Sequence, residues 1–124
     1  MTPVRLLLDE CTPLGLLRSF TAHPDFQGAA HGVVHVTQIG WSGIQNGRLL
    51  ARMRESGFDG LITTDRNLAF QQDVSESELF VIVLESRTNR LEDLIPAAAS
   101  ALMVLPTIRK GQVVRVSATT RPLE

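Results

Sequence analysis

The sequence predicts an α/β domain: a three-layer α/β/α sandwich around a mostly parallel sheet. Three observations carry that prediction. Short continuous apolar runs, such as Val4-Arg5-Leu6-Leu7-Leu8 and Leu79-Phe80-Val81-Ile82-Val83-Leu84, suit strands buried on both faces. Segments of helical periodicity alternate with them. Two of the apolar runs end abruptly in carboxylates, Asp9-Glu10 and Asp65.

The elements follow in order. Met1 to Leu8 is the first strand. Thr12 and Pro13 then read as a helix start, with Thr12 as N-cap and Pro13 at the first helical position. That helix runs through Leu14, Leu16, Leu17 and Phe20, with its N-terminus near Asp9 and Glu10. His23 to Gly32 is polar, rich in breakers and reads as loop. Gly32 to Thr37 is a second strand. Gln38 to Gln45, with Gly40 and Gly43 around Trp41, is loop. Asn46 reads as the cap of a helix carrying Leu49, Leu50 and Met53, which stops at Gly57. Phe58 to Thr63 is a third strand, Leu68 to Gln72 a short helix, Asp73 to Glu78 an acidic loop and Leu79 to Leu84 a fourth strand. Thr88 or Asn89 caps a helix from Arg90 to Leu105, whose apolar face is Leu91, Leu94, Ile95, Ala98, Leu102 and Leu105, and Pro106 ends it. Gly111 to Ser117 reads as an edge strand or hairpin arm. Right-handed crossovers are expected between the parallel strands.

Composition bounds the function. A chain of 124 residues is long enough for one core, and 44% hydrophobic with 20% charged residues is ordinary for a globular protein. A net charge of −1 excludes a global field for nucleic acid or an anionic membrane, so any nucleic-acid binding is local. Of the 12 basic residues only Lys110 is lysine; the others are arginine, which suits bidentate phosphate contacts or reflects compositional bias. A single cysteine, Cys11, excludes an internal disulfide and a cysteine-rich metal site. No apolar run approaches the roughly 20 residues of a membrane span, so the protein is read as cytoplasmic, with no membrane partner.

Carboxylates are the main chemical signal. If the first and third strands lie side by side and parallel, Asp9 and Asp65 meet at one edge of the sheet, with Glu10 beside them. Ligands bind beyond the carboxyl ends of strands in such sheets, and paired hard oxygen donors invite Mg²⁺ or Mn²⁺. Such an ion can activate water for phosphodiester attack. The plainer reading is that Asp9 caps the following helix and Glu10 is solvated. Around Asp65, Thr64 can orient a carboxylate, Arg66 can hold a phosphate and Asn67 can donate or accept; the plainer reading is helix capping by Asp65. Gln71 faces the same crevice or solvent. His23, His31 and His35 lack metal-ligand spacing, and His35 reads as satisfied in the core or exposed at an edge. Cys11, near a helix N-terminus, is expected to have a lowered pKa, but no paired base supports nucleophilic catalysis. Trp41 either stacks on a base or partner or closes over the core. No phosphate-loop or dinucleotide motif is present. A receiver-like phosphoryl domain would need a late lysine, and Lys110, ahead of the last strand, is poorly placed for it.

The chain resembles the PIN-like domain family DUF5615, a relative of the PIN-domain ribonucleases. The resemblance spans Val4 to about Val116. It is carried by Leu6-Leu7-Leu8-Asp9-Glu10 with Pro13, by Gly40-Trp41-Ser42-Gly43 leading to Asn46-Gly47, by Leu61-Ile62-Thr63-Thr64-Asp65-Arg66-Asn67-Leu68 with Gln71-Gln72, and by Ser86 to Leu94. It implies a PIN-like sandwich and a Mg²⁺- or Mn²⁺-dependent endoribonuclease acting on single-stranded RNA, often the toxin of a toxin–antitoxin pair with a small antitoxin protein as partner. Asp9 and Asp65 match the family's acidic positions, with Glu10 and Asn67 beside them. Catalysis is then assigned to Asp9, Glu10 and Asp65, the metal to Asp9, Asp65 and Asn46, and substrate contacts to Arg66, Asn67, Thr64 and Gln71. The family's carboxylate at the start of the middle helix is here Asn46, a neutral oxygen donor, which lowers metal affinity and opens a variant site in which Glu10 compensates. The alternative is a weakly active or inactive PIN-like module that binds RNA or a protein. A homodimer is also expected from the resemblance, with Ala97, Ala98, Ala99 and Ala101 allowing close helix packing or simply serving the core.

Overall fold

The computed structural model of the protein describes residues 3–67 and 74–118, with Asn46 described at its backbone alone. The strands are β1 (Arg5–Leu8), β2 (Gly32–His35), β3 (Gly60–Thr63), β4 (Phe80–Glu85) and β5 (Val113–Ser117). The helices are α1 (Leu17–Thr21), α2 (Pro24–Gly28), α3 (Asn46–Glu55) and α4 (Leu91–Val104). The sheet has the order β2-β1-β3-β4-β5, and every neighbouring pair is parallel.

Alternation along each strand sends its side chains to opposite faces. Leu6, Leu8, Ile62, Ile82 and Leu84 pack with α1, α2 and α4, burying Phe20, Phe26, Leu94, Ala97 and Ala101. Leu7, Leu61, Val81 and Val83 face the other way and pack against Leu49, Leu50 and Met53 of α3. Both faces are therefore covered, as a parallel sheet requires, and the three-layer α/β sandwich is present. No helix among the described residues is long and apolar enough to cross a membrane.

Several local expectations change. Thr12 does not cap a helix. Pro13 is extended and no side chain caps the turn Leu14–Leu16, a single 3-10 turn that precedes α1; the Thr12 hydroxyl donates to Asp9 instead. The segment expected as loop, His23 to Gly32, contains α2. Its N-cap is His23, whose Nδ1 accepts from Asp25 N, and Pro24 occupies the first turn, where its missing N–H costs nothing. Phe26 draws this helix onto the core beside Phe20. The second strand stops at His35 rather than Thr37, because the His35 ring accepts from Thr37 N while the Gln38 side chain accepts from His35 N, closing a 3-10 turn over Val36–Ile39.

Asn46 is the first residue of α3 and not its cap; Gln45 is the N-cap and caps without a side-chain bond. Gly57, at φ +83°, ends α3 as expected. The acidic loop includes a 3-10 turn at Val74–Glu76 with Val74 buried. The helix expected at Leu68 to Gln72 lies outside the described residues. In α4, Ile95 is 45% exposed while Ala97 and Ala101 are fully buried, so the buried stripe lies one step round from the expected one. Ala97, Ala98 and Ala101 thus serve the core. Arg90 is the N-cap of α4, and Thr88 contributes by accepting from Arg90 N and donating to Asp93. The last strand is a parallel edge strand and not a hairpin arm.

Candidate functional site

Two strand ends build the site. β1 and β3 are parallel neighbours with Leu8 opposite Ile62, and Asp9 N donates to Ile62 O at 3.2 Å. The chain then leaves the sheet at Asp9 on one strand and at Thr63-Thr64-Asp65 on the other. Asp9 and Asp65 are brought to the wall of one cavity there.

Asp9 is 5% exposed, and both its oxygens are held. Oδ1 accepts from Thr12 Oγ1 at 2.9 Å, and Oδ2 accepts from Thr63 Oγ1. Burial pushes the Asp9 carboxyl above its usual range; the hydroxyls of Thr63 and Thr12 pull it back, and Asp65 pushes it up again. Thr63, fully buried, is shared: its Oγ1 also accepts from Asp65 N at 3.0 Å. Asp65 Oδ1 accepts from Asn67 N at 2.9 Å, an Asx turn that orients the carboxylate. Buried His35 sits behind Thr12, its Nε2 2.7 Å from the Thr12 carbonyl and its Nδ1 2.8 Å from Thr37 Oγ1. It is thus satisfied in the core. One polar network runs from His35 through Thr12, Asp9 and Thr63 to Asp65.

A cavity of about 510 Å³ opens on this network. Asp9, Glu10, Cys11 and Asp65 form its polar wall, and Val36, Trp41, Ile44 and Leu49 its apolar wall. Trp41 stands edge-on to Phe58 at 5.7 Å, closing that side of the core while half-exposed to the cavity. Glu10 is exposed, and its Oε1 accepts from Gly43 N at 2.7 Å, tying the loop before α3 to the end of β1. Thr64 donates to the Cys11 carbonyl at 3.3 Å. Cys11 itself is exposed, and its thiol is pushed up, first by desolvation and then by Asp9, Asp65 and Glu10. The shift is opposite to the lowering expected from a helix N-terminus, because desolvation first and the three carboxylates second both disfavour the thiolate.

The other expected site residues are placed differently. Arg66 is exposed and lines a separate cavity of about 500 Å³ with Glu85, Arg87 and Asp93. Asn67 is exposed and acts through its backbone N–H. Gln71 and the side chain of Asn46 lie outside the described residues. Among the described residues no group of three His, Cys, Asp or Glu side chains converges as a metal-binding cluster. Thr12, Thr63 and His35 are the positioning residues that sequence reasoning did not assign. The only signal for them was a hydroxyl at a strand end and a histidine within an apolar run.

Comparison with known proteins adds no relative: no family model, curated protein or solved structure matches the chain.

Proposed function

We propose that the protein is a PIN-like, Mg²⁺- or Mn²⁺-assisted endoribonuclease of single-stranded RNA, the toxin of a pair whose partner is a small antitoxin protein. The observation that carries this reading is the pair Asp9 and Asp65 at the ends of adjacent central strands, on one wall of an open cavity. The donor set fits the ion. Mg²⁺ is commonly held by one or two carboxylates, with waters and substrate phosphates completing the shell. A second negative charge beside buried Asp9, which adds to the rise in the Asp9 proton affinity, is also what a cation relieves. Asp9 and Asp65 would hold the metal, which would supply charge neutralisation at the phosphate and a more acidic water. Thr12 and Thr63 orient Asp9 as outer donors to a ligating carboxylate. Glu10 shapes the rim by fixing Gly43. Asn46 enters from the sequence alone.

The experiment is cleavage of a labelled single-stranded RNA with Mn²⁺, Mg²⁺ or EDTA, by the wild type, Asp9→Asn and Asp65→Asn, with calorimetric metal titration of each. Cleavage that needs metal and is lost in both variants is expected. Metal heat that survives both substitutions unchanged overturns the assignment.

A second reading, a non-catalytic module binding RNA or a protein, is favoured by one set of contacts: both Asp9 oxygens already accept hydroxyl protons, and Glu10 is tied to Gly43. It predicts a stable complex and neither hydrolysis nor metal heat.

A further inference from the structure

A second cavity lies beside the carboxylates and has a different character. Its volume is about 690 Å³, and it runs between α3 and the loop before it. The loop wall is Ser42 to Gln45. The helix wall is Arg48, Ala51, Arg52 and Glu55, spaced three and four apart and so forming one stripe. Small Ala51 lies between Arg48 and Arg52 on this wall. Arg48 and Arg52 are exposed, and among the described residues neither has a carboxylate within salt-bridge distance.

Two like charges four apart on a helix repel each other by a few tenths of a kcal/mol. That repulsion becomes attraction when an anion lies between them. The Arg52 guanidinium also sits over the Trp41 ring, 5.4 Å from its centre. The groove adjoins the carboxylate cavity: Ile44 lines both, and Glu10 of the one accepts from Gly43 N of the other.

We propose that this groove binds the phosphate backbone of single-stranded RNA, with Arg48 and Arg52 each contacting a phosphate and directing the strand toward Asp9 and Asp65. Unpaired arginines next to an aromatic ring are the elements from which single-strand grooves are built. Glu55, at the far end of the stripe, repels phosphate and marks where the track stops. The groove deepens the nuclease reading and rests on it for the substrate class, while its own chemistry is phosphate binding and requires no cleavage.

The test uses fluorescently labelled 2′-O-methyl oligouridine in EDTA, so that neither hydrolysis nor metal intervenes. Binding is followed by anisotropy across a salt series for the wild type, for Arg48→Ala/Arg52→Ala, and for the charge-matched Arg109→Ala/Lys110→Ala. The control pair is exposed and precedes β5, at the opposite end of the strands from Asp9. Losing two phosphate contacts should reduce the salt slope by about 1.4, so that the wild type loses about sevenfold more affinity than the double variant between roughly 50 and 200 mM salt. The control should keep the wild-type slope. Urea midpoints establish that both variants fold.

A wild-type slope in Arg48→Ala/Arg52→Ala, an equal loss in the control, or no binding by the wild type overturns the proposal. Binding through the two arginines by a protein that cleaves nothing supports the groove and removes the nuclease reading. Cleavage without any contribution from the arginines does the reverse.

Discussion

Thr63→Val tests the polar network at the strand ends. Thr63 is fully buried, and valine matches its shape, so the substitution leaves no cavity. It removes two bonds from one oxygen. Asp9 Oδ2 loses a donor, and a bond to a charged group is worth about 1.5–3 kcal/mol. Asp65 N loses its acceptor, worth about 1 kcal/mol. The expected loss near neutral pH is about 3 kcal/mol, a large share of a small domain's stability.

The sign of its pH dependence follows from Asp9. Burial holds the folded-state pKa of Asp9 above its unfolded value. The stability Asp9 contributes is therefore complete below the unfolded value, near pH 4 at about 3.9, and is lost as pH rises through the folded value. Without the Thr63 hydroxyl the folded pKa rises further, so the variant loses more over that span. The gap between wild type and variant should be about 1 kcal/mol in acid, where Asp9 is protonated and needs no donor, and widen to about 3 kcal/mol at neutral pH. Urea unfolding followed by far-UV circular dichroism at several pH values measures it. Thr63→Ser keeps the hydroxyl and should lose only about 1 kcal/mol for the methyl, with the wild-type pH profile. A gap for Thr63→Val that does not change with pH, or that stays below about 1 kcal/mol throughout, would refute the coupling of Thr63 to Asp9.

Further outcomes are expected elsewhere in the molecule. A Cβ at Gly60 would lie 2.1 Å from Phe80 Cε1, so Gly60→Ala should cost about 1–3 kcal/mol by overpacking. At Gly28, the last residue of α2, a Cβ meets nothing within 4 Å, and Gly28→Ala should stabilise by about 0.4–1 kcal/mol; equal urea midpoints for the two variants would refute the packing argument. Cys11 should react with iodoacetamide at pH about 8 more slowly than an unhindered thiol, because its thiolate is disfavoured. Asp65→Asn should speed the reaction by removing one of the three charges, and an unchanged rate would show that the carboxylates do not act on the thiol.

The division of labour between sequence and tertiary structure is clear at particular residues. Leu6 to Leu8, Leu61-Ile62 and Val81 to Leu84 are apolar without interruption, and only strands buried on both faces, hence a covered parallel sheet, accommodate them. The α/β class, the end of α3 at Gly57 and the placement of Asp9 and Asp65 at strand ends were legible for that reason. The helix α2 was not, because a histidine ring nitrogen supplied the cap where a serine or aspartate is the usual signal. The role of Thr12 was hidden because a hydroxyl beside both a helix start and a carboxylate can serve either, and the buried charge of Asp9 makes the stronger claim.

The meeting of Asp9 with Asp65 depended on β1 and β3 being neighbours, and the turn of Glu10 toward Gly43 depended on where the loop before α3 comes to rest. Backbone hydrogen bonds are the same between any two strands. Strand order is therefore set by how the helices and loops pack on the faces, and only the tertiary structure decides which carboxylates share a cavity.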